Sequence, residues 1–300
     1  MSRNVGFTYR ERVGAGNDAT TVLAYLGDRY RHSSSSEWTA RIEAGDVLVD
    51  ARKVAADFVL RRGQELVWRR PPWEEPEAPL AFRVLYEDGD LLAVDKPAGL
   101  PTLPGANFLH HTLSHQVRRY AADAVALHRL GRWTSGLVLF ACSRSARVEL
   151  ARQLRDREVR KRYRALAAGN PAWDTTTIDQ PIGPVAHSLL GSVHAAAYDG
   201  KPAVSRVEVL ERRPGAFLCD VWIATGRPHQ IRIHLAAAGH PLVGDPLYVA
   251  GGVPADDSRA VPGDPGYALH AAEAVLRHPR DLRELVLTSP PPHALSVTSL

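Results

Sequence analysis

Apolar and polar positions alternate with two different periods in the first 75 residues, which predicts both helices and strands. Apolar residues recur at near-helical spacing from Thr20 to Tyr30, and a run of serines before Trp38 offers N-caps for a second helix that Gly45 ends. Short β-branched and aromatic runs follow, and they predict strands at 47–49, 58–60 and 65–68. We therefore predict a small α/β domain over residues 1–75.

Prolines separate this domain from the remainder of the chain. The segment Arg69–Pro79 contains four prolines, which predict a stiff linker, and we assign residues 76–81 to its core. Over residues 82–300, strand and helix patterns mix without strict alternation, which favours an α+β domain with a mixed, largely antiparallel sheet. The predicted strands are 82–86, 91–94, 137–141, 163–167, 203–210 and 217–224, and the predicted helices are 111–120, 143–158 and 229–238.

The composition is that of a globular protein, with 45% hydrophobic and 23% charged residues. No run approaches the ~20 apolar residues of a membrane helix, and the N-terminus lacks the apolar core of a signal peptide. The two cysteines, Cys142 and Cys219, are far apart, so neither a disulfide framework nor a cysteine-rich zinc site is expected. We expect a cytoplasmic protein with no membrane association.

Positive charge is concentrated in one segment. The net charge is +4, but residues 144–164 alone carry nine Arg or Lys and three acids. A stripe of this kind attracts phosphate backbones, and arginine suits forked contact with phosphate. The alternative is a solvated helix face whose charges form ion pairs.

Two polar segments have the residue types of a binding site. The first, Leu127–Gly136, holds two arginines, a histidine and two hydroxyls directly before an apolar strand. The second, Thr225–Leu235, begins a helix with exposed Arg and Gln, which suits contact with an anion or a base. His229 and His234 are five positions apart, which is poor spacing for two metal ligands on a helix, so no metal site is predicted. A polar turn before a strand remains the alternative for the first segment.

Five blocks, in order, resemble the RluA-type RNA pseudouridine synthases over residues 82–292. The blocks are Leu85–Leu100 with its Lys96-Pro97-Ala98-Gly99 turn, His128–Gly136, Lys161–Leu166, Thr225–Leu235 with Gly239–Asp245, and the weaker Leu269–Ala271 with His278-Pro279. This resemblance implies an enzyme that flips a uridine out of structured RNA and reattaches its base through carbon 5, without metal or cofactor.

The resemblance also implies roles for individual residues. Arg129 would fill the space that the flipped base leaves, Tyr163 would face the uracil, and Arg232 would pair with the active-site carboxylate and hold it ionised. The alternatives are phosphate contact for Arg129 and a core position for Tyr163. The residues expected to contact RNA are Lys96, His128, Arg132, Thr134, Ser135, Arg227, His229 and Gln230.

One position departs from the family pattern. Family members carry Asp directly after His-Arg-Leu, and this chain carries Gly131. Glycine has no side chain that could act as nucleophile or base. Asp95, Asp123 and Asp245 are the carboxylates that we considered as substitutes. Two hypotheses follow: an active synthase that uses another group, or water held by the remaining site residues, and a non-catalytic RNA-binding protein on the same fold. A hydrolase built on His128 and Asp123 does not explain the ordered blocks.

The N-terminal domain resembles an S4-type RNA-binding domain through Val22–Tyr30, the serine run, and the pattern from Ile42 to Gly63. Residues 1–75 hold twelve basic and eleven acidic residues, so the domain is nearly neutral. It is therefore predicted either to bind RNA or to act as a packing module. The expected partner of the whole chain is structured RNA, either rRNA or tRNA. The sequence shows no long unpartnered apolar stripe, so it does not predict an oligomer interface.

Overall fold

The computed structural model describes residues 3–30, 33–256 and 259–298. The chain divides into two compact units, Met1–Glu75 and Pro76–Leu300, and each is described by itself. Among the described residues, no helix combines the length and the apolar character that crossing a bilayer requires.

The first unit packs two helices beside a four-stranded antiparallel sheet of order β1-β4-β2-β3. Its second helix begins with a capping box, in which Ser34 and Glu37 satisfy each other's backbone N–H groups. Both predicted helices are confirmed. The elements are β1 (Phe7–Arg12), α1 (Val22–Arg29), α2 (Ser35–Glu43), β2 (Val47–Val49), β3 (Arg52–Lys53) and β4 (Glu65–Arg70).

One strand prediction in this unit was wrong, and the strands β1 and β3 were not predicted. Residues 58–60 form no strand, because they pair through a single bridge with Thr21, where the partner chain turns at once into α1. Strand β1 was missed, because its six residues are mostly exposed and polar and give no apolar alternation. The extended chain continues to Arg70, so Arg69 and Arg70 belong to β4 rather than to irregular linker.

The second unit contains the remaining strands and helices. Its three helices confirm the three predictions with shorter bounds, since Thr112 and Ser143 act as N-caps outside α3 and α4. The elements are β5 (Arg83–Glu87), β6 (Leu91–Lys96), α3 (Leu113–Tyr120), β7 (Val125–Ala126), β8 (Thr134–Ala141), α4 (Arg144–Arg155), β9 (Arg160–Ala168), β10 (Thr175–Ile178), β11 (Ile182–His187), β12 (Gly191–Ala196), β13 (Ser205–Arg213), β14 (Ala216–Ile223), α5 (Gln230–Ala237), β15 (Tyr248–Val249), β16 (Val253–Pro254), β17 (Leu269–Arg277) and β18 (Glu284–Thr288).

One large sheet organises this unit. Within the described residues it runs in the order β10-β13-β14-β9-β17-β8-β6-β5, with β18 paired to β17 and β7 paired to β8. The pairing of β17 with β8 is parallel, and the other pairings of this sheet are antiparallel. The predicted α+β fold with a mixed, largely antiparallel sheet is confirmed.

Strand β8 lies at the centre of the core and fixes the loop before it. All eight of its residues are buried. Gly136 adopts φ 103° where the backbone of Ala271 on β17 comes so close that a β-carbon would collide with it. The sheet therefore holds the start of β8, and with it the polar loop that contains Gly131, in a fixed position.

Candidate active-site cleft

A cleft of about 620 Å³ opens beside the loop before β8. Four loop segments and Pro76 line it: 101–108 (without Asn107), 129–132, 226–229 and 261–264. Two of these segments belong to the polar stretches that the sequence singled out, and they are 94 or more residues apart along the chain, counting from 132 to 226. The fold thus brings the predicted binding segments together in one concave site.

Arginines dominate the lining of the cleft. Arg132 donates from Nε to the carbonyl oxygen of Gly99 at 3.0 Å, and its guanidinium lies 4.7 Å from the ring centre of Phe108. Arg227 donates to the carbonyl oxygen of Pro202 at 3.2 Å. Arg129 is exposed and has no ion-pair partner among the described residues. Three guanidinium groups therefore face a space that an anion can enter.

A buried ion pair lies close to this lining. Arg232 donates to both carboxylate oxygens of Asp245 at 2.7 Å, and the two side chains are 2% and 0% exposed. Burial opposes the charge of Arg232, but the hydrogen bonds to Asp245, together with the charges of Asp245 and the neighbouring tyrosines, raise the pKa of the guanidinium overall. The rings of Tyr267 and Tyr248 lie 4.1 Å and 4.9 Å from this guanidinium. The carboxylate that holds Arg232 is thus Asp245, and it is sealed from the cleft.

His229 enters the cleft from the start of α5 in a left-handed conformation, with φ 55°. Its Nδ1 lies 2.7 Å from the hydroxyl of Tyr248, which itself donates to the carbonyl oxygen of His194 at 2.7 Å. Nδ1 therefore carries the proton, and Nε2 is left as an acceptor. Burial, with Arg232 nearby, lowers the pKa of His229 to about 3, so the ring is neutral near pH 7.

Gly131 lies in the lining, at the position where the motif suggested a missing carboxylate. A β-carbon at this position would lie 3.1 Å from the hydroxyl of Tyr267 and 3.4 Å from Oγ1 of Thr134. The first distance is tighter than an ordinary contact, so a side chain at 131 requires Tyr267 to shift. The site is therefore shaped around a glycine.

The substitute carboxylates named from the sequence do not line the cleft. Asp95 forms an ion pair with Arg83 at 2.9 Å, and Asp245 is buried against Arg232. Asp123 precedes β7, which pairs with Ala141 at the far end of β8, about 24 Å from its start at the usual strand rise. Asp264 does line it, and sequence reasoning missed this residue. The only signal was an aspartate in a Gly/Pro/Asp loop at 250–266.

Several residues expected to contact RNA are instead held by protein groups. The ammonium of Lys96 is fully buried and donates to the carbonyl oxygens of Pro97, Leu100 and Arg132 at 2.7–3.0 Å. Burial lowers the pKa of Lys96 to about 7. Nε2 of His128 accepts from the backbone N–H of Leu139 at 3.1 Å. These side chains brace the loop before β8, and their predicted contact with RNA stays a prediction.

Thr134, Ser135 and Gln230 are also buried. Ser135 is hydrogen-bonded to His270 at 2.9 Å, while Gln230 accepts from the hydroxyl of Thr225 and the backbone N–H of Arg227. Gln230 therefore fixes the loop that presents Arg227. Of the eight residues predicted to contact RNA, Arg132, Arg227 and His229 line the cleft.

Tyr163 lies outside the lining of the cleft. It is 8% exposed and borders a small internal cavity with His128, Leu154 and Lys161. Burial raises the pKa of its hydroxyl to about 12. Its predicted role against the uracil stays a prediction, and its surroundings are those of a core tyrosine.

The basic segment 144–164 is mostly ion-paired. Arg152 contacts Glu149, Asp156 and Glu158, and Arg162 and Arg164 share Asp220. Pairing with acids reduces the attraction of this face for phosphate. As for metals, the described residues contain no group of three or more side chains that could hold an ion.

Known proteins are similar to this chain in sequence and in fold. A sequence model of the RNA pseudouridylate synthase family matches residues 90–237. An uncharacterized RNA pseudouridine synthase of Synechocystis is 43% identical over 276 residues, which cover 91% of this chain and 95% of the relative.

The chain belongs to the RluA-type family of RNA pseudouridine synthases.

Two further comparisons agree with this assignment. The ribosomal large subunit pseudouridine synthase D of Nitrosomonas europaea is 37% identical, over 71% of this chain and 63% of the relative. The solved structure of human RNA pseudouridylate synthase domain containing 1 superimposes with a TM-score of 0.55 at 27% identity, covering 72% of this chain and 86% of that one. In this RNA pseudouridine synthase, the residue after His128-Arg129-Leu130 is a glycine, and a β-carbon at this position would lie 3.1 Å from the hydroxyl of Tyr267.

Proposed function

We propose that this RNA pseudouridine synthase binds structured RNA, draws one uridine into the cleft and converts it to pseudouridine without a carboxylate at position 131. The observation that carries the proposal is the cleft itself. Its volume of about 620 Å³ is in the range of small-molecule sites, and it contains Arg129, Arg132 and Arg227. A family member that kept this lining has a place for the flipped nucleotide.

The charges of the lining suit an RNA strand. Three arginines face one aspartate, so phosphates on either side of a flipped uridine are attracted to the rim. Arg132 is held by Gly99 and lies over Phe108, so little side-chain freedom is lost when it binds phosphate. Arg129 is exposed and free to enter the stack in place of the base, as the family resemblance implies.

The isomerisation requires a rigid, polar pocket rather than a cofactor. The bond between N1 and C1′ breaks, the base turns, and C5 bonds to C1′. Neutral His229 offers Nε2 as an acceptor for an N–H of the turning base, since its Nδ1 is engaged by Tyr248. The buried pair of Arg232 and Asp245 ties α5 to the segment between α5 and β15, and so helps to keep His229, the residue before α5, in place.

The substrate class proposed is rRNA or tRNA. One relative is named for the ribosomal large subunit, which supports rRNA as the first candidate.

We also propose that Met1–Glu75 is an S4-like domain that adds affinity for RNA. Its two helices beside a small sheet support this assignment. The proposed compartment is the cytoplasm, in keeping with two unpaired cysteines.

A second candidate is a non-catalytic RNA-binding protein, and Gly131 is the observation that favours it. Loss of a catalytic carboxylate costs several orders of magnitude in rate unless another group replaces it. In that case the cleft would bind RNA and release it unchanged. The two candidates differ in the product and not in the affinity.

The experiment that separates them is a map of pseudouridine in cellular RNA from a deletion strain and from the parent. The proposal predicts at least one uridine that is modified in the parent and unmodified in the deletion strain. Restoration of the site by a plasmid copy of the wild-type gene is the control. If no site differs between the two strains, the proposal of an active synthase is wrong. Activity that appears only in Gly131→Asp would then assign the defect to that one residue.

A further inference from the structure

Asp264 is the one carboxylate among the described residues that line the cleft. Its Oδ2 accepts the backbone N–H of Val261 at 2.8 Å, which leaves Oδ1 without a hydrogen-bond partner among the described residues. The side chain is partly exposed. One oxygen therefore fixes the orientation of the carboxylate, and the other is available to a ligand.

The loop that carries Asp264 forms hydrogen bonds with Trp133 of the loop before β8 and with Arg232 of α5. Nε1 of Trp133 donates to the carbonyl oxygen of Gly263 at 2.9 Å, and Arg232 donates to the carbonyl oxygen of Pro262 at 3.1 Å. Asp264 also closes its own turn through its N–H, which donates to Val261 at 3.0 Å. Trp133, two residues after Gly131, and Arg232 of α5 thus hold this loop beside the loop before β8.

The electrostatics join the same groups. Burial lowers the pKa of Arg132, and the carboxylate of Asp264 partly offsets that effect, so the two charges act on each other across the cleft. Arg132 directly follows Gly131. A carboxylate that faces the neighbour of position 131 is well placed to serve the same reacting atoms.

We propose that Asp264 is a catalytic residue, and that it supplies to the same cleft the carboxylate that position 131 lacks. This inference rests on the proposed pseudouridine synthase activity. The sequence hides this replacement, because 133 positions separate residues 131 and 264 and the loop reads as a plain connection.

The chemistry balances with one carboxylate. The electron pair of the N1–C1′ bond leaves with the uracil, and the carboxylate of Asp264 stabilises the positive charge that develops at C1′. After the base turns, C5 donates a ring π pair to C1′. Asp264 then accepts the proton from C5, and the electrons of that C–H bond restore the ring. N1 takes one proton from water and Asp264 returns one, so no oxidant or other reactant is required.

The test uses the full-length protein and RNA from the deletion strain labelled with tritium at uracil C5, because the reaction releases that hydrogen to water. Asp264→Asn keeps an amide oxygen for the N–H of Val261 and removes the charge. We expect its single-turnover rate to fall on the order of 100-fold or more, while the Kd for RNA stays within about threefold. Asp256→Asn is the matched control, because Asp256 is exposed and outside the lining.

The outcomes distinguish the assignment of Asp264 from the proposed function. A wild-type rate in Asp264→Asn overturns the assignment of Asp264 and leaves the proposed function standing. Absence of tritium release from the wild type overturns both. Asp264→Ser, which also offers an acceptor to Val261, replaces the asparagine variant if thermal unfolding shows that the latter is misfolded. A wild-type rate in folded Asp264→Ser is equally contradictory.

Discussion

The hydroxyl of Tyr267 lies 3.1 Å from the point where residue 131 would carry a β-carbon. Tyr267 is 6% exposed, and its ring lies 4.1 Å from the guanidinium carbon of Arg232. The tyrosine therefore occupies the space between position 131 and the arginine that the family resemblance pairs with a carboxylate. Gly131 and Tyr267 are complementary, and a side chain at one position requires a change at the other.

This complementarity predicts coupling between the two positions. Gly131→Ala is expected to destabilise the protein by about 1 kcal/mol, because the methyl group meets the tyrosine hydroxyl. Tyr267→Phe removes that hydroxyl, so the double variant is expected to recover about 0.5–1 kcal/mol relative to the sum of the single effects. Urea unfolding of the four proteins measures this coupling. Strict additivity would show that the two residues do not touch.

The pair of Arg232 and Asp245 makes a prediction about stability. Asp245→Ala leaves a buried guanidinium without its partner, and the expected loss is about 3–5 kcal/mol of unfolding free energy. Glu284→Ala is the control, because its pair with Arg160 is exposed and is expected to contribute less than about 1 kcal/mol. Chemical denaturation compares the two. Equal losses would contradict a structural role for the buried pair.

His128 predicts a dependence of stability on pH. Burial, and then Lys161, lowers its pKa to about 3, and its Nε2 must stay unprotonated to accept from Leu139. The unfolded chain takes up this proton near pH 6.5, so acidification between pH 6.5 and 3 favours unfolding by up to about 1.4 kcal/mol per pH unit.

The measurement is the slope of unfolding free energy against pH in the wild type and in His128→Gln. The glutamine offers an oxygen to Leu139 and takes up no proton, so its slope below pH 6.5 is expected to be shallower by one proton. Above pH 7 the two curves run parallel. Identical slopes below pH 6.5 would show that His128 is protonated in the folded protein.

Arg129 predicts the salt dependence of RNA binding. The residue is exposed in the cleft and has no ion-pair partner among the described residues. Arg129→Gln is expected to reduce the slope of log K against log salt by about 0.7–0.9, the contribution of one phosphate contact. Arg118→Gln, an exposed arginine on α3 outside the lining, is expected to keep the wild-type slope. An unchanged slope in Arg129→Gln would favour insertion into the base stack alone.

The sequence predicted the elements of the fold better than the contacts of the site. Ser143 and the serine run before Trp38 marked helix starts, because capping depends on residues close to each other in sequence. The structure brings Arg129, Arg132 and Arg227 from these motifs into the lining of one cleft. Burial could not be read from a motif, so Lys96 and His128 were assigned to RNA although protein groups engage them.

Long-range pairing accounts for what the sequence did not predict. The partner of Arg232 is Asp245, thirteen residues away, and the motif alone assigned this arginine to a carboxylate at position 131. Asp264 is close enough to act on the charge of Arg132, and Trp133 and Arg232 form hydrogen bonds to the loop that carries it. Hydrogen bonds between loops leave no periodic pattern in the sequence, so they cannot be predicted from a short stretch of it.

The central claim is that a cleft with glycine at position 131 forms pseudouridine. Its most direct test is a single-turnover reaction of the purified wild-type protein, in excess, with RNA from the deletion strain, followed by quantification of pseudouridine at each uridine. The account predicts that the uridine that is unmodified in the deletion strain and modified in the parent is converted to near completion. RNA that is bound with no uridine converted would contradict it and would assign the protein to RNA binding alone.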